Sequence, residues 1–324
     1  MSARLERLQA WVYLGSVLLG LGLGMLVPGI AGGLEALVWP TLGLLLYATF
    51  VQVRLVHLPQ AARDPRFLGA VLVGNFVALP LLVWLLLPLV GDSLAVRVGV
   101  LLVLLVPCTD WFLTFTHLAG GDTRRAIAAA PILLLTQMAL LPGYLWLFLG
   151  EGFSELIDGA RVATVFATLI VLPLIAAWLT QRVMQRRGTA ARPLASRLGL
   201  LPIPLLSLVV LLLAASQVTV VLDAGGLLVR LLVVYVAFLI GAAAIGLAIT
   251  WRLGLARGPA TVVVFSFGTR NSFLVLPFAL ALPVGFEIAV VAVVFQSLVE
   301  LFGMIAYLRV VPVLLRGRSE VTGR

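Results

Sequence analysis

Lysine is absent: all 22 basic residues in this 324-residue chain are arginine. Cysteine occurs once, at Cys108, which excludes an intrachain disulfide and any Cys-x-x-Cys metal or redox site. Histidine occurs twice, at His57 and His117, too few for a histidine-based metal cluster. No metal and no cofactor is therefore expected. Charge is also scarce, at 11% of residues, against about 25% in an average soluble domain. The net charge of +9 is the feature of a nucleic-acid binder. Here the arginines sit in short loops between apolar runs, so topology explains them and no nucleic-acid partner is expected.

What fills the chain is apolar. Hydrophobic residues make up 62% of it, and the mean hydropathy is +1.19. Runs of about 20 apolar residues, the length that crosses a hydrocarbon core, recur from end to end. The reading is an all-α membrane protein with the lipid bilayer as its solvent. Ten spans are expected, near 9–31, 34–53, 67–90, 95–119, 124–149, 161–182, 198–223, 228–250, 257–281 and 285–314. The N-terminal run resembles a signal peptide, with Arg4 and Arg7 ahead of it, but it exceeds the 7–15 residues of an h-region and reads as a retained first span. "GLGLG" at 20–24 has no strand before it and reads as helix packing, not a nucleotide loop. Prolines 80, 131, 142, 173, 202, 204 and 277 read as kinks.

Arginine bias sets the orientation. With both termini in the cytoplasm, 18 arginines fall on the inner side and only Arg97, Arg161 and Arg230 on the outer. The longest loop, 182–197, separates two sets of five spans. An odd number per set makes the second set start from the opposite face, so residues 1–150 and 158–316 are expected to be inverted repeats within a single 1–324 transmembrane domain.

Two spans in corresponding positions, the fourth and the ninth, are interrupted by polar residues: "VPCTDWFLTFTHLAGGD" (106–122) and "FSFGTRNSF" (265–273). Asp110 and Arg270 are 160 residues apart, and Gln137 and Gln296 are 159 apart. Paired interruptions point to a transporter's binding site, because broken backbone survives at membrane depth only where it faces protein or a cavity. Helices four and nine are thus expected to be discontinuous and to cross. Asp110 is a carboxylate within a span, functional by default; it either neutralises Arg270 at the crossing or handles solute or proton. Arg270 stands beside Thr269, Asn271 and Ser272, with Gly268 permitting an unwound turn; it grips an anion or pairs with Asp110. Gln296, Glu300 and Gly303 share a helix face in "VVFQSLVELFGMI", and acids so placed carry protons or bind cations. Cys108 beside a break and a carboxylate offers a soft sulfur to thiophilic solutes. "GGD" (120–122) reads as a turn with Asp122 capping the next helix. An intramembrane thiol enzyme is disfavoured, since Cys108 and His117 face opposite ways on one helix.

With those motifs in view, the chain resembles the bile acid/sodium symporter superfamily, and within it the arsenite exporters of the ACR3 type. The likeness rests on Cys108 ahead of the "LAGGD" turn, on Asn271 in the second break and on Glu300 beyond it. The likeness adds to a candidate set read from the residues themselves, in which Cys108, Thr109, Arg270 and Asn271 meet the substrate and Asp110, Gln137, Gln296 and Glu300 the coupling ion. It further implies a thiol that contacts trivalent arsenic, an acid that couples export to proton entry, and residence in a bacterial cell membrane. The partners are then a small solute, arsenite or an organic anion, and a coupling ion, proton or sodium. The chain departs from the family pattern at Thr109, Asp110, Arg270 and Phe273, and in carrying Gln-Ser where the exporters have Gly-Pro before the acid. The alternative within the superfamily is a sodium-coupled importer of an organic anion, which has no need of Cys108.

Overall fold

The computed structural model describes residues 2–27, 29, 31–52, 64–149, 164–187 and 197–317. His57, the arginines at 54, 63, 161, 192, 318 and 324, and loop residues 188–196 lie outside the described residues. Among the described residues all regular elements are helical, apart from one isolated bridge. In order they are α1 (Ser2–Leu26), α2 (Ala31–Gln52), α3 (Pro65–Val73), a π-turn (Gly74–Ala78), α4 (Leu79–Val90), α5 (Leu94–Leu104), α6 (Trp111–Leu118) and α7 (Thr123–Leu149). A second π-turn (Ala167–Val171) follows, then α8 (Leu172–Arg187), α9 (Pro202–Ser216), α10 (Val218–Asp223), α11 (Gly225–Arg252), α12 (Arg257–Gly268), α13 (Ser272–Leu280) and α14 (Glu287–Leu314).

Among the described residues six helices are long and apolar enough to cross a membrane: Gly33–Gln52, Pro65–Val90, Thr123–Leu149, Thr164–Arg187, Gly225–Arg252 and Glu287–Leu314. The four other expected spans fall on shorter or interrupted helices. The first has an apolar part of Trp11–Leu26, and the others are the pairs α5/α6, α9/α10 and α12/α13. Large apolar side chains such as Trp84, Leu85, Trp146, Leu147, Val229 and Ile240 stand exposed. That is the surface of a protein whose solvent is hydrocarbon.

The chain divides into two compact units, each drawing on both halves of the sequence. One comprises Met1–Gln52, Glu155–Gly225 and Phe273–Val294. Within it α9 packs on α1 and α2, and α8 packs on α2. Gly20 and Gly24 of the "GLGLG" stretch make the close approach between α1 and α9 possible: a Cβ on either would collide with the carbonyl of Leu211 or Ala215. Gln181 donates to the Phe50 and Val51 carbonyls at 3.1 and 3.0 Å, tying α8 to the end of α2.

The other unit comprises Val53–Ser154, Gly226–Ser272 and Phe295–Arg324. Here α12 packs on α3, α6 and α7, and α7 on α5 and α6. Pro80 lacks the N–H that would have bonded the Phe76 carbonyl one turn earlier. The chain absorbs this with the Gly74–Ala78 π-turn, and the Tyr144 hydroxyl donates to the freed Phe76 carbonyl. A Cβ on Gly74 would enter the Phe267 ring, so glycine lets α12 pack closely on this turn. Pro202 and Pro204 differ from the kinks expected of them. Pro202 opens α9 in its first turn, where a missing N–H costs nothing, and Pro204 follows within the same turn. The "GGD" turn is as expected: Gly120 takes φ +73°, and Asp122 caps α7 by accepting from the Arg125 N–H at 3.1 Å.

Candidate functional site

The site lies wholly within the second unit, where two helices stop and restart. α5 ends at Leu104 and α6 begins at Trp111, while α12 ends at Gly268 and α13 begins at Ser272. The two non-helical stretches run antiparallel and bond to one another. The Cys108 N–H donates to the Thr269 carbonyl at 3.2 Å and the Asn271 N–H to the Val106 carbonyl at 2.8 Å, with Pro107 opposite Arg270. Pro107 occupies the one place in this pairing that asks nothing of its nitrogen. The facing residues Pro107 and Arg270 form the pair whose nitrogens point away from the partner strand, so the missing donor leaves no acceptor stranded. The N–H of Arg270 points outward in the same way, and it donates to Glu300 Oε2 at 2.8 Å.

Glu300 is 1% exposed. Its Oε2 also accepts from Gln296 Nε2 at 2.8 Å, and Gln296 Oε1 accepts from the Ser272 hydroxyl at 2.6 Å. The expected stripe on α14 is therefore a chain from the start of α13 to the acid. Glu300 Oε1 is buried without a partner, as are Thr109 Oγ1 and both amide atoms of Gln137. A buried polar atom without a partner costs about 1–3 kcal/mol, so each of these four calls for an explanation. Gln137 sits midway along α7, the helix packed against α5, α6 and α12.

Cys108 is 3% exposed, and its thiol donates to Asp110 Oδ1 at 2.8 Å. Asp110 occupies the cap position of α6, with its carbonyl accepting from Leu113 and Thr114. The crossing links Cys108 to Glu300 through the backbone: the Cys108 N–H bonds the Thr269 carbonyl, and the N–H of the next residue, Arg270, bonds Glu300. Asn271 is buried and anchors the crossing through its N–H.

The expected Asp110–Arg270 pair is not formed. The guanidinium turns to neutral oxygens: Nη2 donates to Asn75 Oδ1 at 2.8 Å and to the Ser266 and Phe267 carbonyls at 2.9 Å each, and Nη1 to the Leu104 carbonyl at 3.3 Å. Its face lies over the Phe238 ring, 5.4 Å from the centroid. The physical reason is that α5 and α12 both end here. Their last carbonyls lack helical partners, and the negative ends of their dipoles attract a cation as well as a carboxylate would. Asp110 stands instead at the start of α6, where its charge meets the positive end of a helix.

Asn75 is the functional residue that the sequence reading passed over. It lies in the π-turn, fully buried, donating to Ser266 Oγ at 2.9 Å and to the Val71 carbonyl at 3.0 Å while accepting from Arg270. The signal was present: a lone amide after glycine in "LGAVLVGNFVALPLLV" is out of place in an otherwise apolar span. His117 is exposed and bonds Thr123 at 3.4 Å, away from the crossing. Among the described residues no group of three or more His, Cys, Asp or Glu side chains is placed to hold a metal ion.

Comparison with known proteins decides the family. The pattern of the Sodium Bile acid symporter family matches residues 39–224, more than half of the chain. The chain belongs to the sodium bile acid symporter family. The arsenical-resistance protein Acr3 of Corynebacterium glutamicum is 30% identical over 151 residues, which are 43% of this chain and 40% of that protein. The chain thus spans about two fifths of the length of the curated relative it matches. Both descriptions are of membrane transport or resistance proteins, not enzymes, in keeping with a symporter-family member whose polar residues gather where two helices break.

Proposed function

We propose that this symporter-family member is a secondary active transporter that exports arsenite, or a similar thiophilic oxyacid, in exchange for protons. It does so as ten spans in two inverted repeats, with both termini in the cytoplasm. The single observation that carries the reading is the crossing itself. It joins a thiol bonded to a carboxylate, through the Thr269–Arg270 backbone, to a second, half-partnered buried acid. The interleaving of both sequence halves in each unit and the inner-side arginine excess support the topology.

Arsenous acid at neutral pH is an uncharged trihydroxide, able to donate and accept at each hydroxyl. Thr109 Oγ1, the Gln137 amide and Glu300 Oε1 supply matching donors and acceptors that the protein itself leaves unpaired. Sulfur is the soft ligand that distinguishes this solute from other small polar molecules. Binding proceeds by exchange: Cys108 sulfur bonds to arsenic as one arsenic hydroxyl departs. Asp110, already holding the thiol hydrogen, takes that proton and returns it to the departing hydroxyl, which leaves as water. Protonation of Glu300 on the outer side and its release on the inner side supply the coupling. The organic-anion reading needs a cationic side chain open to the solute, and the buried Arg270 turns both Nη1 and Nη2 to carbonyls and an amide.

Arsenite accumulation in everted vesicles from cells producing wild type or Cys108→Ser tests the reading. Wild type should accumulate arsenite under an inside-acid gradient and the variant should not. Accumulation of a bile-acid-like anion under a sodium gradient, unaffected by Cys108→Ser, would replace it with the importer.

A further inference from the structure

Arg270 carries a charge that neither the thiol step nor the proton step uses. It is 2% exposed, and among the described residues it enters no ion pair. Every acceptor around its guanidinium is a neutral oxygen: the carbonyls of Leu104, Ser266 and Phe267 and the amide oxygen of Asn75. An arginine fork is shaped for two parallel bonds to one carboxylate. Here the fork is poorly used. Nη2 serves three acceptors with two hydrogens, while Nε is buried without a partner.

The acceptors suit a different guest better. Carbonyl and amide oxygens converging on one point are the donor set of a hard, spherical cation. Unwound carbonyls and the C-terminal ends of half-helices hold coupling cations in transporters built from broken helices. Two such ends meet here, from α5 and α12. Each is worth about half a negative charge, so together they balance one unit of positive charge. A monovalent cation satisfies that sum, and so does one guanidinium.

We infer that Arg270 is a tethered cation occupying a monovalent-cation cage formed by Leu104, Ser266, Phe267 and Asn75, so that this crossing takes up neither sodium nor potassium. The inference deepens the proposed function by removing alkali-cation coupling at the crossing, and it rests on that reading only for its consequence in transport. A positive charge that would otherwise have to bind and leave is here part of the chain. The cage then holds the same cation in every step of the cycle.

The test is thermal unfolding of purified full-length protein in detergent, without solute, in sodium, potassium, guanidinium or choline chloride at matched ionic strength and low concentration. Wild type should show the same midpoint in all four salts. A saturable rise specific to sodium or potassium would overturn the inference. Arg270→Ala, which keeps the cage and removes its guest, should unfold at lower temperature. Sodium, potassium or guanidinium, but not choline, should restore roughly 2–4 °C. A folded Arg270→Ala indifferent to all of them would also overturn it. If that variant does not fold, Arg270→Lys places a compact ammonium among the same oxygens and should match wild type in salt indifference; sodium dependence in the lysine variant counts against the cage. No arsenite enters the experiment, so failure of the solute assignment leaves its outcome intact.

Discussion

Pro107, Cys108, Thr109 and Asp110 stand in a row where an apolar run ends, and each has its own reason to be tolerated. Pro107 faces Arg270 where no N–H is needed, Cys108 and Asp110 bond to each other, and Thr109 keeps an unpartnered hydroxyl. If that hydroxyl and the neighbouring thiol meet the solute, Cys108→Ser keeps the size and loses the soft ligand. Arsenite transport should fall by roughly tenfold or more, at least about 1.4 kcal/mol of binding, read as initial rates in vesicles. Glu300→Gln keeps the hydrogen-bonding shape but cannot carry a proton. Proton-driven accumulation should vanish while exchange of arsenite between preloaded vesicles continues. Loss of both would show that Glu300 holds the fold and not the proton. The Asp110–Arg270 geometry makes a sharper prediction. Asp110 and Arg270 answer to opposite helix ends, so the Asp110→Arg, Arg270→Asp exchange should not rescue either single change. Each misplaced buried charge costs about 3–5 kcal/mol, and yield of folded protein by size-exclusion chromatography reads the result.

Among the elements, what sequence made legible and what it hid separate by cause. The breaks in both interrupted spans were legible because a helix interior tolerates neither "PCTD" nor "GTRNS" in an apolar run, and the helices do stop at Leu104 and Gly268. The Asp122 cap and the close packing at Gly20 and Gly24 were legible for similarly local reasons. The partner of Arg270 was not. Opposite charges at matching places in two spans suggest a pair, but a sequence does not display carbonyl oxygens, and these outcompete the carboxylate once two helix ends converge. Asn75 was legible as a lone amide in an apolar span, but its partners were not, because its bonds to Arg270 and Ser266 cross between distant segments of the chain. Two substitutions probe its π-turn. Tyr144→Phe leaves the Phe76 carbonyl without its donor, and Asn75→Leu leaves an Arg270 donor and Ser266 short of a partner. Each should cost about 1–3 kcal/mol, seen as a lower unfolding midpoint, with Asn75→Leu also slowing transport because it loosens the crossing.

At the scale of the whole molecule, composition points to the class and arginine placement to the expected orientation. With 18 arginines on one side of the expected spans and 3 on the other, reporters fused after residues 190 and 324 should both report the cytoplasm; an external signal from either would reverse the topology. The direction of transport depends on that orientation, and the central claim joins it to the chemistry at the crossing. The most direct measurement is arsenite accumulation in everted vesicles under imposed gradients. The account predicts accumulation with the vesicle interior acidified, no added effect from a sodium gradient, and loss of the signal in Cys108→Ser. Accumulation that follows sodium and survives Cys108→Ser would contradict it.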